Sequence, residues 1–150
     1  MKYEPADPES ARTLALASDL HIMAGTLIRR LREQAEVSDL TSAQKSVLLR
    51  LERDGPTTGS VLARAAAMRP QSMGAIIATL EAAGYVTGEP DPSDGRQTIV
   101  SVTDHFRQTA SAARAARRDW LFRTLQTKLS AQEQEQLASA IELLSRLLES

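Results

Sequence analysis

The sequence predicts a mainly α protein that carries a single β-hairpin. Three observations predict it. Apolar residues recur at spacings of three and four over most of the 150 residues, which places them on one stripe of a helix. Apolar residues make up 42% of the chain but aromatics only 3%, so Leu, Ile, Val, Ala and Met have to form the core, as they do between packed helices. Only residues 91–103, DPSDGRQTIVSVT, lead into strand-like alternation. Their Asp94-Gly95 pair signals a hairpin, because both central residues of such a turn favour positive φ.

Each element follows in order. The leader MKYEPADPES, residues 1–10, carries Pro5 and Pro8 and no basic-then-apolar signal, and is expected to be mobile. A first helix is expected from Glu9 to Glu36. Its stripe is Leu16, Leu20, Met23, Leu27 and Leu31, and Arg29, Arg30 and Arg32 sit near its C-terminus, where cations are favoured. Ser38-Asp39 breaks it. Thr41-Ser42-Ala43-Gln44 is a capping box, opening a second helix with Val47, Leu48 and Leu51 on one face. Asp54-Gly55-Pro56 ends that helix. Thr57-Thr58 is expected to open a short third helix that stops near Ala67 or Met68. Pro70 suits the first turn of a fourth helix, whose Met73, Ile76, Ile77 and Leu80 form a buried stripe and whose C-cap is Gly84.

Tyr85 to Gly88 and Thr98 to Val102 flank the hairpin tip. Thr103 then caps a long fifth helix that runs to about Thr127. Ser130-Ala131-Gln132-Glu133 is a second capping box. The sixth helix spaces Leu137, Ile141, Leu144 and Leu148 by four, three and four, a short coiled-coil-like seam, and Leu143 and Leu147 widen it.

Composition excludes several functions. The chain has no cysteine, which rules out disulfides, thiolate metal sites and thiol redox sensing and fits a cytoplasmic location. No apolar run approaches the ~20 residues that span a bilayer, so no membrane partner is expected. No nucleophile–base pair, phosphate loop or paired-carboxylate motif has a workable spacing, so an enzyme is not expected. His21 and His105 stand apart from any ligand cluster, and neither a metal nor a cofactor is expected. The formal net charge is −1, but charge is segregated. Arg107, Arg114, Arg117, Arg118, Arg123 and Lys128 oppose Asp119 alone, whereas the tail carries Glu133, Glu135, Glu142 and Glu149 against Arg146.

The third and fourth helices, joined by a tight turn and followed at once by the hairpin, fit a winged helix-turn-helix. The expected fold is therefore mainly α, a winged helix-turn-helix lobe with a two-stranded wing plus long dimerisation helices. The lobe is expected at about 40–103 and the dimerisation helices at about 11–36 and 104–149, within one domain over 11–150. The fourth helix opposes its apolar stripe with Gln71, Ser72, Gly74, Ala75 and Ala78, and Arg69 stands at its start. Short side chains let a helix approach the floor of a DNA groove. Gln71 can pair with adenine and Ala75 can touch a thymine methyl. Small residues also serve helix packing, so both readings stand at this point.

The stretch VLARAAAMRPQSMGAIIATLEAAGYV, followed by DPSDGRQTIVSVT, resembles the MarR family of bacterial winged-helix transcription regulators. The resemblance covers roughly residues 12 to 148. Its most diagnostic part is the wing, with Asp91-Pro92, Asp94, Arg96 and the IVSVT strand; Leu80-Glu81-Ala82-Ala83-Gly84-Tyr85-Val86 matches as well. The resemblance implies a homodimer held by the first, fifth and sixth helices on a pseudo-palindromic double-stranded DNA operator. It implies that Arg96 meets the minor groove or backbone with Asp94 or Asp91 orienting it, and that a small, often aromatic or phenolic, anion releases the DNA. The chain departs from the family pattern at Gly88-Glu89, at Gly95, and at Ala75 and Thr79, where basic residues are common. Its fifth helix also opens with Thr103-Asp104-His105-Phe106. Since phosphate neutralisation carries much of DNA affinity, binding weaker and more salt-sensitive than that of a strongly basic relative is expected.

The expected DNA-contact residues are Arg69, Gln71, Ser72, Gly74, Ala75, Asp94 and Arg96. A local ion pair of Arg96 with Asp91 or Asp94 is compatible with that role. His21, Trp120 and Arg117 are the candidate effector residues. The alternatives are an ordinary surface or interface histidine, a core or dimer-interface tryptophan, and a solvated arginine face. The leading function is a DNA-binding transcriptional repressor that acts as a homodimer and is released by a small ligand. The alternative is a dimeric winged-helix protein-interaction module without specific DNA binding.

Overall fold

The computed structural model describes residues 7–37 and 40–150. The elements are α1 (Pro8–Gln34), α2 (Ser42–Asp54), β1 (Thr57–Thr58), α3 (Gly59–Ala65), α4 (Pro70–Ala82), β2 (Val86–Pro90), β3 (Thr98–Val102), α5 (Asp104–Lys128) and α6 (Ala131–Leu148). No described helix is long and apolar enough to cross a membrane.

Helix α1 begins inside the expected leader. Asp7 is its N-cap, its carboxylate accepting from the Ser10 amide at 2.8 Å, and Pro8 occupies a first-turn position where its missing N–H costs nothing. The rest of the leader, residues 1–6, and the Ser38-Asp39 break lie outside the described residues. Both expected capping boxes form. The Gln44 amide donates to Thr41 Oγ1 at 3.2 Å while the Thr41 amide donates to Gln44 Oε1 at 2.8 Å. Ser130 and Glu133 do the same at 3.1 and 3.0 Å.

Two local expectations are corrected. Thr57 and Thr58 form a strand that was not expected, β1, which pairs antiparallel with β3 through Thr57↔Val100 and Thr58↔Ile99, while Thr58 opens α3 as its N-cap. The sheet therefore has three strands in the order β1-β3-β2, β1 adding to the expected two-stranded wing of β2 and β3. Gly55, at φ 83 and ψ −174, adopts a conformation essentially reserved for glycine. Pro56 then favours extended chain, and β-branched threonines suit it. Thr58 still serves α3, its Oγ1 accepting from the Val61 amide at 3.3 Å.

The second correction concerns the hairpin tip. β2 and β3 pair from Val86↔Val102 to Pro90↔Thr98, so the first strand runs two residues past Gly88 and the tip is residues 91–97, but Asp94-Gly95 does not form a positive-φ turn within it. Gly95 is not among the described positive-φ glycines, which are Gly55 and Gly84. Pro90 and Pro92 have no amide proton to continue the ladder. The loop is closed instead by Asp91 N–H to the Gln97 carbonyl at 2.9 Å and Gln97 N–H to the Asp94 carbonyl at 3.0 Å.

Both ends of the helix-turn-helix stop in the same way. After α4, Gly84 takes φ 78, its amide bonds the Glu81 carbonyl, and the Tyr85 amide bonds that of Leu80. After α3, Ala67 takes φ 51, its amide bonds the Arg64 carbonyl, and the Met68 amide bonds that of Ala63. Each is a Schellman motif with a left-handed residue just past the helix.

The chain divides into two units, Val37–Ala113 and the remaining described residues. Among described residues, every buried hydrophobic side chain lies in the first unit: Val47, Leu48 and Leu51 of α2, Leu62 and Ala63 of α3, Met73 and Leu80 of α4, Val86, Val100 and Val102 of the sheet, and Phe106, Ala110 and Ala113 of α5. Ile76 and Ile77 pack half-buried against this core. In the other unit, Arg117 Nε donates to the Ala35 carbonyl at 2.7 Å, and Gln134 Nε2 reaches the Leu125 and Leu129 carbonyls. Neither α1 nor α6 buries a residue.

Candidate nucleic-acid interface

Helix α4 presents two unlike faces. Met73 and Leu80 anchor the inner one at 1% and 0% exposure. Gln71, Ser72, Gly74, Ala75 and Ala78 all lie exposed on the outer side, and Arg69 is exposed at the N-cap with no side-chain cap bond. Gly74 is informative. A Cβ built on it meets nothing within 4 Å, so packing does not require glycine there. Its effect is to leave the helix backbone approachable.

The wing tip is organised by its acids. Asp91 Oδ1 accepts from the Ser93 amide at 2.9 Å and the Ser93 hydroxyl at 2.7 Å. The Ser93 amide foremost, then its hydroxyl, holds the Asp91 carboxyl below the usual carboxylate range. Asp94 Oδ1 accepts from the Arg96 amide at 3.1 Å, an Asx turn. Asp91 thus orders Ser93 and Asp94 orients the Arg96 backbone, and among the described residues no ion pair engages the Arg96 guanidinium.

A groove of about 410 Å³ runs between α4 and the wing. Gly74, Ile77, Ala78 and Glu81 line one wall, Arg96, Gln97 and Thr98 the other, and Thr58 and Ser60 one end. The structure therefore brings Gly74 and Arg96 to one groove. Arg69, Gln71, Ser72, Ala75 and Asp94 are exposed but do not line it. Ser60 and Gln97 were not legible as site residues. Ser60 depends on the β1 turn, and Gln97 on the shape of the loop over residues 91–97.

The effector candidates lie elsewhere. His21 is exposed on α1 and Trp120 half-buried on α5. Arg117 commits its Nε proton to the Ala35 carbonyl, satisfying a carbonyl at the end of α1. His105 stacks on Tyr85 at 5.7 Å, and Tyr85 meets Phe106 edge-on.

Helix, turn, second helix and hairpin in immediate succession define a winged helix-turn-helix. Residues 38–97 match the model of the MarR family. An uncharacterised helix-turn-helix-type transcriptional regulator of Mycobacterium leprae is 38% identical over 134 residues, 89% of this chain and 93% of that protein. A Pseudomonas aeruginosa protein named as a transcriptional regulator superposes with a TM-score of 0.77 at 34% identity, over 93% of this chain and 97% of that one. A MepR mutant of S. aureus bound to an oligodeoxyribonucleotide shares the fold at 20% identity, with a TM-score of 0.67 over 89% and 98% of the two chains. The chain belongs to the MarR family of transcriptional regulators.

Proposed function

We propose that the protein is a homodimeric repressor that grips a pseudo-palindromic DNA operator, with α4 in the major groove and Arg96 on the adjacent minor groove or backbone. The observation that carries this reading is the shared groove, where an open glycine backbone on α4 faces an arginine free of ion pairs. Major grooves admit a helix, and arginine is favoured where the minor groove narrows. The S. aureus relative of the same fold is bound to an oligodeoxyribonucleotide. Dimerisation is supported by apolar side chains that one chain leaves uncovered. Leu16, Met23 and Leu27 of α1 are 68%, 63% and 44% exposed, and Ile141, Leu147 and Leu148 of α6 are 54%, 69% and 84% exposed. Burying each such side chain stabilises by about 1.5–3 kcal/mol. Two lobes set ~34–36 Å apart would then meet successive turns of DNA.

Release by a small aromatic or phenolic ligand belongs to the same proposal, with His21, Trp120 and Arg117 as its candidate residues. The ligand has to favour one spacing of the two lobes over another to act. Arg117 would offer it the guanidinium N–H groups that Ala35 leaves over. Work on DNA places the protein in the cytoplasm.

One observation favours the second reading, a protein-interaction module. Helix α4 contains no Lys or Arg, and Lys45, Arg50, Arg53, Arg64, Arg69, Arg96 and Arg107 of its unit stand against Asp39, Glu52, Asp54, Glu81, Glu89, Asp91, Asp94 and Asp104. Anisotropy titrations with duplexes from the DNA upstream of the protein's own gene separate the two. On the DNA reading, Arg96→Ala weakens binding by about 1–3 kcal/mol. Equal affinity of variant and wild type moves the function to another surface.

A further inference from the structure

We propose that Gln44 and Thr79 form a latch that fixes the rotation of α4 about its own axis, and so tunes which bases its outer face prefers. The inference rests on the DNA-binding reading above and adds two positioning residues to it.

The latch is a directional chain of hydrogen bonds. Gln44 Oε1 is taken by the Thr41 amide of the capping box. That fixes which end of the side-chain amide remains, and Gln44 Nε2 donates across to Thr79 Oγ1 at 2.9 Å. Thr79 Oγ1 in turn donates to the Ile76 carbonyl at 2.7 Å, which leaves its lone pair for Gln44. The three bonds agree on one orientation of the Gln44 amide and one of the Thr79 hydroxyl, so they run one way from the N-terminus of α2 into α4. It joins residues 35 apart in sequence.

The position on α4 gives the latch its consequence. Thr79 lies four residues after Ala75 and eight after Gln71, so it shares their flank of the helix. The inner face is held by Met73, Leu80 and the half-buried Ile76 and Ile77, and apolar burial has no preferred direction. Close packing limits the roll of the helix from the inner side, and a directional hydrogen bond at the edge of the outer face adds a restraint on the side that has no such packing. A recognition constellation has to be held within about 10–20°, and α4 lacks a side-chain cap that would fix its first turn. The same capping-box glutamine that starts α2 therefore also orients α4.

The test compares Thr79→Val, Thr79→Ser, Gln44→Ala and the double variant Gln44→Ala/Thr79→Val. The readout is the ratio of affinities for the upstream duplex and for a scrambled duplex, with hydrogen exchange of the α4 amides measured in parallel on free protein. Thr79→Val is expected to lower the ratio about five-fold, the size of one hydrogen bond, and to leave the salt slope unchanged because no phosphate contact is lost. Thr79→Ser keeps the hydroxyl and the wild-type ratio. In the Gln44→Ala background, Thr79→Val has no further effect. A ratio unmoved by Thr79→Val, or full additivity in the double variant, overturns the latch. If the wild type does not prefer the upstream duplex, the DNA reading fails by itself and exchange alone decides. Faster α4 exchange in Thr79→Val but not in Thr79→Ser supports the latch, and equal exchange in all three overturns it.

Discussion

Gly74 and Ala67 show how a single side chain separates folding from function. Glycine inside a helix destabilises it by roughly 0.5–1 kcal/mol relative to alanine, and nothing near Gly74 needs the space. Gly74→Ala is therefore expected to raise the melting temperature while weakening DNA binding, since the new methyl group lies in the groove shared with Arg96. A variant that is more stable and binds equally well shows that DNA does not approach this backbone. Ala67 is the reverse case. It holds the left-handed conformation at φ 51, which is costly for a residue with a Cβ. Ala67→Gly is expected to stabilise the protein by about 0.5 kcal/mol once the larger entropy of an unfolded glycine is subtracted, read as a higher denaturant midpoint at constant m-value. At Gly88 a Cβ would sit 2.7 Å from Thr98 Cγ2, so a larger residue there has to displace Thr98. Gly74 was legible as a short residue on the outer face of the fourth helix, whereas the conformation of Ala67 and the close approach at Gly88 were not, because each depends on what the chain brings beside it.

Elements with a chemical signal of their own were readable in the sequence. The two capping boxes, Pro70 at the start of α4 and Gly84 after it all form as expected, because each depends on residues within one turn. The strand at Thr57-Thr58 was missed because only the helix-capping role of threonine shows in the sequence until β3 is in place to pair with it. At the wing tip only the conformation of Asp94-Gly95 was misread, because that pair suggests a positive-φ turn, whereas the prolines and Asp91 set the shape of the loop. That loop has a pH signature. Asp91 is held below its ordinary value, so its contribution to wing order is complete above that value and is lost as pH falls through the lowered one. The Ser93 amide resonance is expected to titrate with a midpoint below the ordinary aspartate value. A midpoint at or above the ordinary value contradicts the Asp91–Ser93 contact.

At the scale of the molecule, the buried core and most of the exposed large apolar side chains fall in different units. The unit Val37–Ala113 holds the buried core of the described residues, whereas α1 and α6 expose long apolar side chains. The heptad-like spacing of Leu137, Ile141, Leu144 and Leu148 was legible, since it is a periodicity along one helix. What covers that seam was not legible from the spacing, which describes one helix and not its partner; the homodimer rests on the family resemblance. Substituting Leu144→Glu and Leu148→Glu together is expected to shift the protein toward monomer in sedimentation and to abolish cooperative operator binding. Leu144 and Leu148 are exposed in the single chain, so the lobe should keep its fold in this variant.

The most direct measurement is the mass and salt dependence of the complex between the protein and a duplex from its own upstream DNA, followed by sedimentation. The account predicts two chains on each duplex, with affinity that falls steeply as salt rises and falls again in Arg96→Ala. One chain per duplex, or binding indifferent to both salt and Arg96, would contradict it.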